Sequence, residues 1–355
     1  MVLQTIAEFA YPQRNGDETV VKLKDIAEAC NVSVATVSRA LNGLTDTNRG
    51  RTEEIRRVAR EMGYYPNAAA RALKTNRSNN IGILYEDKMN HEYFSVLLDS
   101  LRENAEVNGY DLTFISRTDK AEHVKGERLN YYEHARRRNL DGVVVIQADF
   151  NSSEVIRLAT GSIPTVIIDH EYEGCDCVLS DNRRSMEQIV EAVYNAGHRR
   201  IAFIHGEDGN VTRSRTAGFY KSCAEHGIKV PQDYVKEGHF HDPARCVQPL
   251  LELLNLPVPP TCILFPDDYS CLGNLGVLEA RGIRIPEDLS IVGFDGIRLT
   301  EMMKPHLTTY SQDAWEIGHQ AIRVVLDAIE NEDGHEPSQI HVAGKLVEGE
   351  TLGRM

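Results

Sequence analysis

From residue 80 onward, short apolar strands alternate with amphipathic helices over roughly 275 residues, and this alternation limits the possible folds more than any other feature of the chain. Strands are predicted at Ile81–Leu84, Leu112–Ile115, Gly142–Ile146, Thr165–Ile168, Ile201–Ile204, Cys262–Phe265 and Ser290–Phe294. Helical spacing marks Phe94–Asn108, Arg183–Asn195, Ser214–His226 and Tyr269–Arg281. A strand–helix repeat of this kind argues for parallel sheets flanked by helices. Its length suits two α/β lobes better than one.

The region before residue 80 follows a different rule. Leu23, Ile26, Ala27 and Cys30 make one helical face. Val34, Val37, Ala40 and Leu41 mark a second helix, and Ile55, Val58, Ala59 and Met62 a third. Three short helices with polar connections predict a small all-α bundle over residues 20–66. Residues 1–19 show neither period and are read as a loose arm. Between Asn67 and Thr75 runs an alanine-rich stretch too short to be a stable helix alone in water, so 67–79 is assigned as a hinge helix and linker.

Charge separates the same regions. The chain carries a net charge of −14, yet residues 20–80 hold eleven basic against six acidic side chains. A basic segment on an acidic body is the asymmetry expected when one part meets phosphate and the rest does not. No apolar run is long enough to cross a membrane, and the N-terminal ten residues lack the basic start of a signal peptide. The seven cysteines have no paired spacing, so reduced thiols in a cytoplasm are expected.

The segment Leu23–Asn42 combines features of a helix pair built to enter a DNA groove. Small Ala27 lets two crossing helices approach. Asn31 tolerates the left-handed backbone of a tight corner, and Ser33 is a natural N-cap. Val37 and Leu41 point inward, leaving Val34, Ala35, Ser38 and Arg39 on the other side. Small residues at the helix start and an arginine one turn later suit the major groove, where Arg39 can pair with a guanine edge.

The run VKLKDIAEACNVSVATVSRALNG, followed by EMGYYPNAAARALKTNRSNNIGIL, strongly resembles the head and hinge of the lactose/galactose-repressor (LacI/GalR) family. The resemblance implies that Val34, Ala35 and Arg39 read bases and that Ser33, Thr36, Ser38 and Asn42 lie near phosphates. It implies that Tyr64 and Asn67 position the hinge helix, and that Leu73 wedges into the minor groove at the centre of a palindromic operator. Two departures stand out: Asn31 replaces the usual Gly, and Asn48–Thr52 is more basic than the usual acidic start of the third helix. Both are expected to bear on operator preference.

The resemblance also implies a body of the type I periplasmic-binding-protein fold. Two Rossmann-like lobes would hold a small-molecule effector between the carboxyl ends of their strands. The lobes are expected at about 80–178 with 309–334, and about 179–308 with 335–355. Asp169, Asp267, Asp268 and Asp295 each follow a predicted strand, and Arg215 opens a helix. Carboxylates facing an arginine can take the paired hydroxyls of a sugar, and Tyr93, Phe94 and Phe240 can cover its apolar faces. The effector site is therefore assigned to Tyr93, Phe94, Asp169, Arg215, Phe240, Asp267, Asp295 and Gln312. An acid at Asp267, where many relatives carry Asn, favours neutral or cationic ligands over anionic ones.

Three rivals remain at this point. The chain has no G-x-G-x-x-G after its strands, no Walker A run and no G-x-S-x-G, which argues against an enzyme on a Rossmann-like body. A purine- or nucleoside-responsive, or co-repressor-dependent, regulator would use the same scaffold. A metal sensor would draw on His239, His241 and Asp242; the preferred reading expects no metal and no cofactor. Symmetric operators imply a homodimer, and no leucine heptads follow Gly344 to suggest a coiled-coil tetramer.

Overall fold

The computed structural model describes residues 21–41, 49–65, 72, 77–86, 91–115, 129–331 and 334–355. The expected arm at 1–19, Asn42, Asn67, Leu73 and most of the expected hinge lie outside the described residues. The chain divides into two compact units between Ser78 and Asn79.

The first unit contains helices α1 (Leu23–Ala29), α2 (Val34–Leu41) and α3 (Arg49–Glu61). Its core consists of Ile26, Ala27, Cys30, Val37, Ala40, Ile55 and Ala59, one apolar stripe from each helix. The corner between α1 and α2 turns on Asn31, whose φ is 50°. Ser33 then starts α2, its hydroxyl accepting from the Thr36 amide at 3.1 Å. At the far end of α3, Gly63 takes a φ of 72°, and the amides of Gly63 and Tyr64 donate to the carbonyls of Arg60 and Ala59. Two arginines of α3 hold the other helix ends. Arg51 donates to the Cys30 carbonyl at 2.9 Å and Arg56 to the Ala40 carbonyl at 3.1 Å. The basic start of α3 thus serves the head's own packing at Arg51.

The second unit carries two six-stranded sheets. The N-lobe sheet runs in the order β11-β5-β4-β3-β1-β2 and is parallel throughout. Its strands are β1 (Asn80–Tyr85), β2 (Asp111–Ile115), β3 (Gly142–Gln147), β4 (Thr165–Ile168), β5 (Asp176–Ser180) and β11 (Gln339–Val342). The C-lobe sheet runs β12-β10-β9-β8-β6-β7, with only β10 and β12 antiparallel. It comprises β6 (Ile201–His205), β7 (Val235–Glu237), β8 (Cys262–Leu264), β9 (Ser290–Asp295), β10 (Thr308–Ser311) and β12 (Lys345–Val347). Central strands such as Val143-Val144-Val145 are fully buried because helices cover both faces of the sheet.

In the N-lobe, α4 (Glu92–Val107) packs closely on the long helix Ala314–Glu330. Gly318 permits the approach: a Cβ there would lie 2.7 Å from the Ser100 side chain, whose hydroxyl bonds the Trp315 carbonyl at 2.6 Å.

The chain crosses between the lobes after β5, between β10 and helix Ala314–Glu330, and between β11 and β12. The lobe borders therefore differ from those expected. Leu179 and Ser180 stay in the N-lobe within β5, and residues 309–311 join the C-lobe within β10, which pairs with β9. Residues 339–342 return to the N-lobe by pairing with β5. The crossings fall at the two outermost strands on one side of each sheet, whose short, polar-containing runs give little apolar signal. All seven cysteines are buried free thiols. No helix among the described residues is long and apolar enough to cross a membrane.

Candidate functional site

Two surfaces carry the sequence-derived residues. On the head, α2 turns Val37 and Ala40 into the core and leaves Ser33, Val34, Ala35 and Arg39 exposed, with Thr36 and Ser38 half-buried. Val34 is 43% exposed, an apolar side chain that the head itself does not cover. The Arg39 guanidinium lies along the same face, its Nε 3.4 Å from the Ala35 carbonyl. This face offers small apolar groups for a thymine methyl and a forked donor for a guanine edge. Ser33 bonds the Thr36 amide and hydroxyl, so it caps the helix that carries the face. Tyr64 packs against the head core at the end of α3.

In the body, a cavity of about 370 Å³ opens between the lobes at the carboxyl ends of the strands. Seven of the eight expected effector residues line it: Tyr93, Phe94, Asp169, Arg215, Phe240, Asp295 and Gln312. Gly206 makes room for the Phe240 ring, since a Cβ there would sit 2.1 Å from it.

The polar groups form a chain across the crossings. The Tyr93 hydroxyl donates to Asp169 at 3.4 Å, and the Ser180 amide donates to the other Asp169 oxygen at 2.8 Å. Ser180 donates through its hydroxyl to Gln312, whose amide nitrogen donates to Asp295 at 2.6 Å. One connected set of hydrogen bonds thus joins an N-lobe carboxylate to a C-lobe carboxylate.

Arg215 comes from helix Asn210–Glu225 and is 4% exposed. It donates to Asn182 at 2.7 Å and to the Pro266 carbonyl at 2.8 Å, and its guanidinium lies 3.4 Å from the Phe294 ring centre. Burial lowers its pKa, opposed by Asp295, Asp169 and Asp267. Burial raises the Asp169 carboxyl above the usual range, against its hydrogen bonds and Arg215. Asp295 goes the other way: burial would raise it, but His241, His91 and Arg215 outweigh burial and hold it low. His241 is raised, because Asp295 and Asp267 outweigh its burial. His91 is lowered, chiefly by burial.

Backbone conformation singles out the same place. Six non-glycine residues among those described have positive φ, and three of them are the tolerant asparagines 31, 79 and 139. The other three are Asp169, His241 and Asp295, at 56°, 56° and 109°, and all three line the cavity.

Asp267 is the exception to the expected set. It is fully buried and does not line the cavity. Its carboxylate accepts from the Ser270 amide and hydroxyl and from the His241 amide, so it caps helix Asp268–Gly273 and supports the His241 loop. Asp268 is likewise buried, binding the Gly296 and Ile297 amides and the Thr309 hydroxyl. The preference for neutral or cationic over anionic ligands expected from Asp267 would rest instead on Asp149, Glu207 and Asp208, which do line the cavity. Sequence reasoning missed these three acids together with His170, Arg213 and the buried His91, and it named His241 only for a metal-sensing rival. His170 stacks on Phe150 at 4.2 Å in the cavity wall. The trio His239, His241 and Asp242 does not converge: Asp242 caps the next helix and His239 faces Glu207.

Comparison with known proteins gives two family matches. Residues 22–67 match the bacterial regulatory proteins of the lacI family, and residues 190–352 match a periplasmic binding protein-like domain. The chain is 29% identical over 338 residues to the HTH-type transcriptional repressor CytR of Escherichia coli (strain K12), covering 94% of this chain and 97% of that protein. It is 29% identical over 332 residues to the HTH-type transcriptional repressor PurR of Haemophilus influenzae (strain PittEE), covering 92% and 96%. Among solved structures, the lac repressor dimer bound to operator and the anti-inducer ONPF superimposes with a TM-score of 0.80. It is 21% identical and covers 94% of this chain and 99% of its own.

Proposed function

The chain belongs to the lacI family of DNA-binding transcriptional regulators, and we propose that it is a repressor whose hold on operator DNA is set by a neutral, hydroxyl-rich small molecule, a sugar, bound between its lobes. The observation that carries this reading is the cleft itself. Asp169, Asp295, Gln312 and Arg215 surround a cavity of about 370 Å³ that Tyr93, Phe94 and Phe240 wall with aromatic surface. That volume lies within the roughly 300–1,000 Å³ usual for small-molecule sites. Carboxylates accept paired hydroxyl hydrogen bonds, and the ring faces cover C–H surface. With five carboxylates against two arginines in the lining, a phosphorylated sugar is disfavoured. Two proteins of the same fold are described with cellobiose and with ribose bound, so the architecture accommodates such ligands.

In this reading the head reads bases through Val34, Ala35 and Arg39, with Ser33, Thr36 and Ser38 toward phosphate. The active form is a cytoplasmic homodimer on a two-fold symmetric operator. A ligand held by Tyr93 and Asp169 on one lobe and by Arg215 and Asp295 on the other favours one closure of the lobes over another. The Tyr93–Asp169–Ser180–Gln312–Asp295 chain passes through two of the crossings, where any closure is registered.

A thermal-shift panel of neutral sugars, sugar phosphates, nucleosides and nucleobases tests the ligand class, since a ligand that binds the folded state raises its melting temperature. A neutral sugar is expected to give the largest shift. A response confined to phosphates, nucleosides or nucleobases would overturn the sugar reading and leave the cleft assignment standing.

A further inference from the structure

Beside the cleft, three side chains that ligate metals converge from three separate parts of the body. His91 immediately precedes α4 in the N-lobe, His241 lies in the loop before helix Pro243–Leu254, and Asp295 ends β9 in the C-lobe. Nε2 of His91 is 3.7 Å from Asp295 Oδ2, and Nε2 of His241 is 3.8 Å from the same oxygen. One donor atom from each of the three lies within 4.8 Å of the other two, and the imidazole centres are 4.0 Å apart.

Ordinary hydrogen bonding does not account for the cluster. Separations of 3.7 and 3.8 Å are too long for hydrogen bonds. Among the described residues, neither ring nitrogen of His91 nor Asp295 Oδ2 has a hydrogen-bond partner. Both side chains are 4% exposed, and His241 is 22% exposed. Buried polar atoms left in this way call for a specific explanation, and a bound ion is one of the standard ones. A single proton serves one nitrogen–oxygen edge of the triangle, whereas a divalent cation at its centre serves all three donors.

The spacing fits such an ion. Zinc–nitrogen and zinc–oxygen distances of about 2.0–2.2 Å in a tetrahedron put neighbouring donors roughly 3.3–3.6 Å apart. The observed separations to Asp295 need contract by only a few tenths of an ångström. Positive φ at His241 and Asp295 holds both side chains in this arrangement against backbone preference. Arg215 is the nearby charge that opposes a cation, and Asp267 and Asp169 oppose Arg215 in turn.

We propose that His91, His241 and Asp295 form a zinc-type divalent metal site that staples the N-lobe to the C-lobe at the edge of the cleft. Two imidazoles and one carboxylate are a donor set that suits zinc, with a fourth position left for water or a ligand oxygen. His241 and Asp295 also line the effector cavity, so ion and effector share two residues and bias the same lobe closure. This site is independent of which effector fills the cleft. It replaces the sequence-based expectation of no metal, and it uses only one member of the His239–His241–Asp242 trio.

The test uses the untagged full-length chain after chelator treatment, titrated with Zn²⁺ by calorimetry and with Co²⁺ by visible absorption. One equivalent per chain is expected, with the ligand-field bands of a four- or five-coordinate Co²⁺ ion. His91→Gln and His241→Gln should each weaken binding by at least about tenfold. His241 is partly exposed, so its variant keeps the test valid should the His91 variant fail to fold. No uptake by the unmodified chain, or full uptake by a folded His241→Gln chain, would overturn the assignment.

Discussion

The side chains assigned to DNA on the head and to the effector in the cleft sit in opposite environments. Val34, Ala35 and Arg39 stand on the outside of a helix whose other face makes the core. Arg215 and Asp295 are buried and Asp169 is half-buried, and all three are bonded into the body and electrostatically tied to one another. A surface that reads DNA gains its partner's donors and acceptors only on binding, so its side chains need not satisfy each other beforehand. A cleft buried in the free protein holds most of its polar groups bonded to one another beforehand. Changes to the head's outer face should therefore alter recognition alone, and changes in the cleft should alter recognition and stability together.

The largest effect comes from breaking the head from within. Ile55 is fully buried in a small core, and Ile55→Ala is expected to cost about 2–5 kcal/mol. Amide exchange across 23–61 should rise toward the unfolded rate and operator binding should be lost. The ligand-induced thermal shift of the body should persist, and its loss would deny the separation of the two units.

Next comes Arg215→Ala, which removes donors to Asn182 and the Pro266 carbonyl. It should lower the body's stability by about 1.5–3 kcal/mol and remove the thermal shift given by the effector, while operator binding without effector survives. A chain of unchanged stability with an unchanged dose response would place the ligand elsewhere.

Arg39→Ala sharpens the contrast from the other side. Specific operator binding should weaken by about 1–3 kcal/mol while the melting temperature stays the same. Equal losses on operator and random DNA would show a phosphate contact in place of base reading.

What the sequence disclosed follows the same division. The head is a local motif: Asn31, Ser33, Val37 and Arg39 sit within nine residues, and each has the conformation or exposure that its type suggested. The cleft is assembled from distant segments, so its members are visible singly and their relations are not. Asp169, Asp267 and Asp295 look alike as acids after strands, yet Asp267 faces inward to cap a helix. The Ser three residues after it was the available sign of a cap. The predicted helix Tyr269–Arg281 is interrupted at Asn274, which is fully buried and donates to the Pro243 and Ser270 carbonyls. Strands β5, β7, β10, β11 and β12 escaped because short, polar-containing runs such as Asp176–Ser180 and Thr308–Ser311 carry little periodic signal. His91 could not be paired with Asp295 from a chain in which they lie some two hundred residues apart.

The smallest effect lies in the N-lobe, away from both sites. His335 is held by Asp176 at 2.8 Å and Asp327 at 3.0 Å, and these carboxylates outweigh burial to raise its pKa. A raised histidine pKa contributes stability fully below the unfolded value of about 6.5 and loses it as pH rises through the folded value. The melting temperature of His335→Gln should therefore fall furthest below that of the unmodified chain in mild acid, with the gap narrowing toward alkaline pH. A gap that widens with pH would contradict the assignment, and operator binding should be indifferent to the change.

The most direct test of the whole account measures coupling between head and cleft. Operator DNA selected from a random pool is titrated with the chain by fluorescence anisotropy, with and without the sugar that gives the largest thermal shift. Binding of that sugar is then measured with and without operator. The sugar should change operator affinity by roughly 5- to 150-fold, and operator should change sugar affinity by the same factor. Two binding equilibria that ignore each other would contradict this coupling.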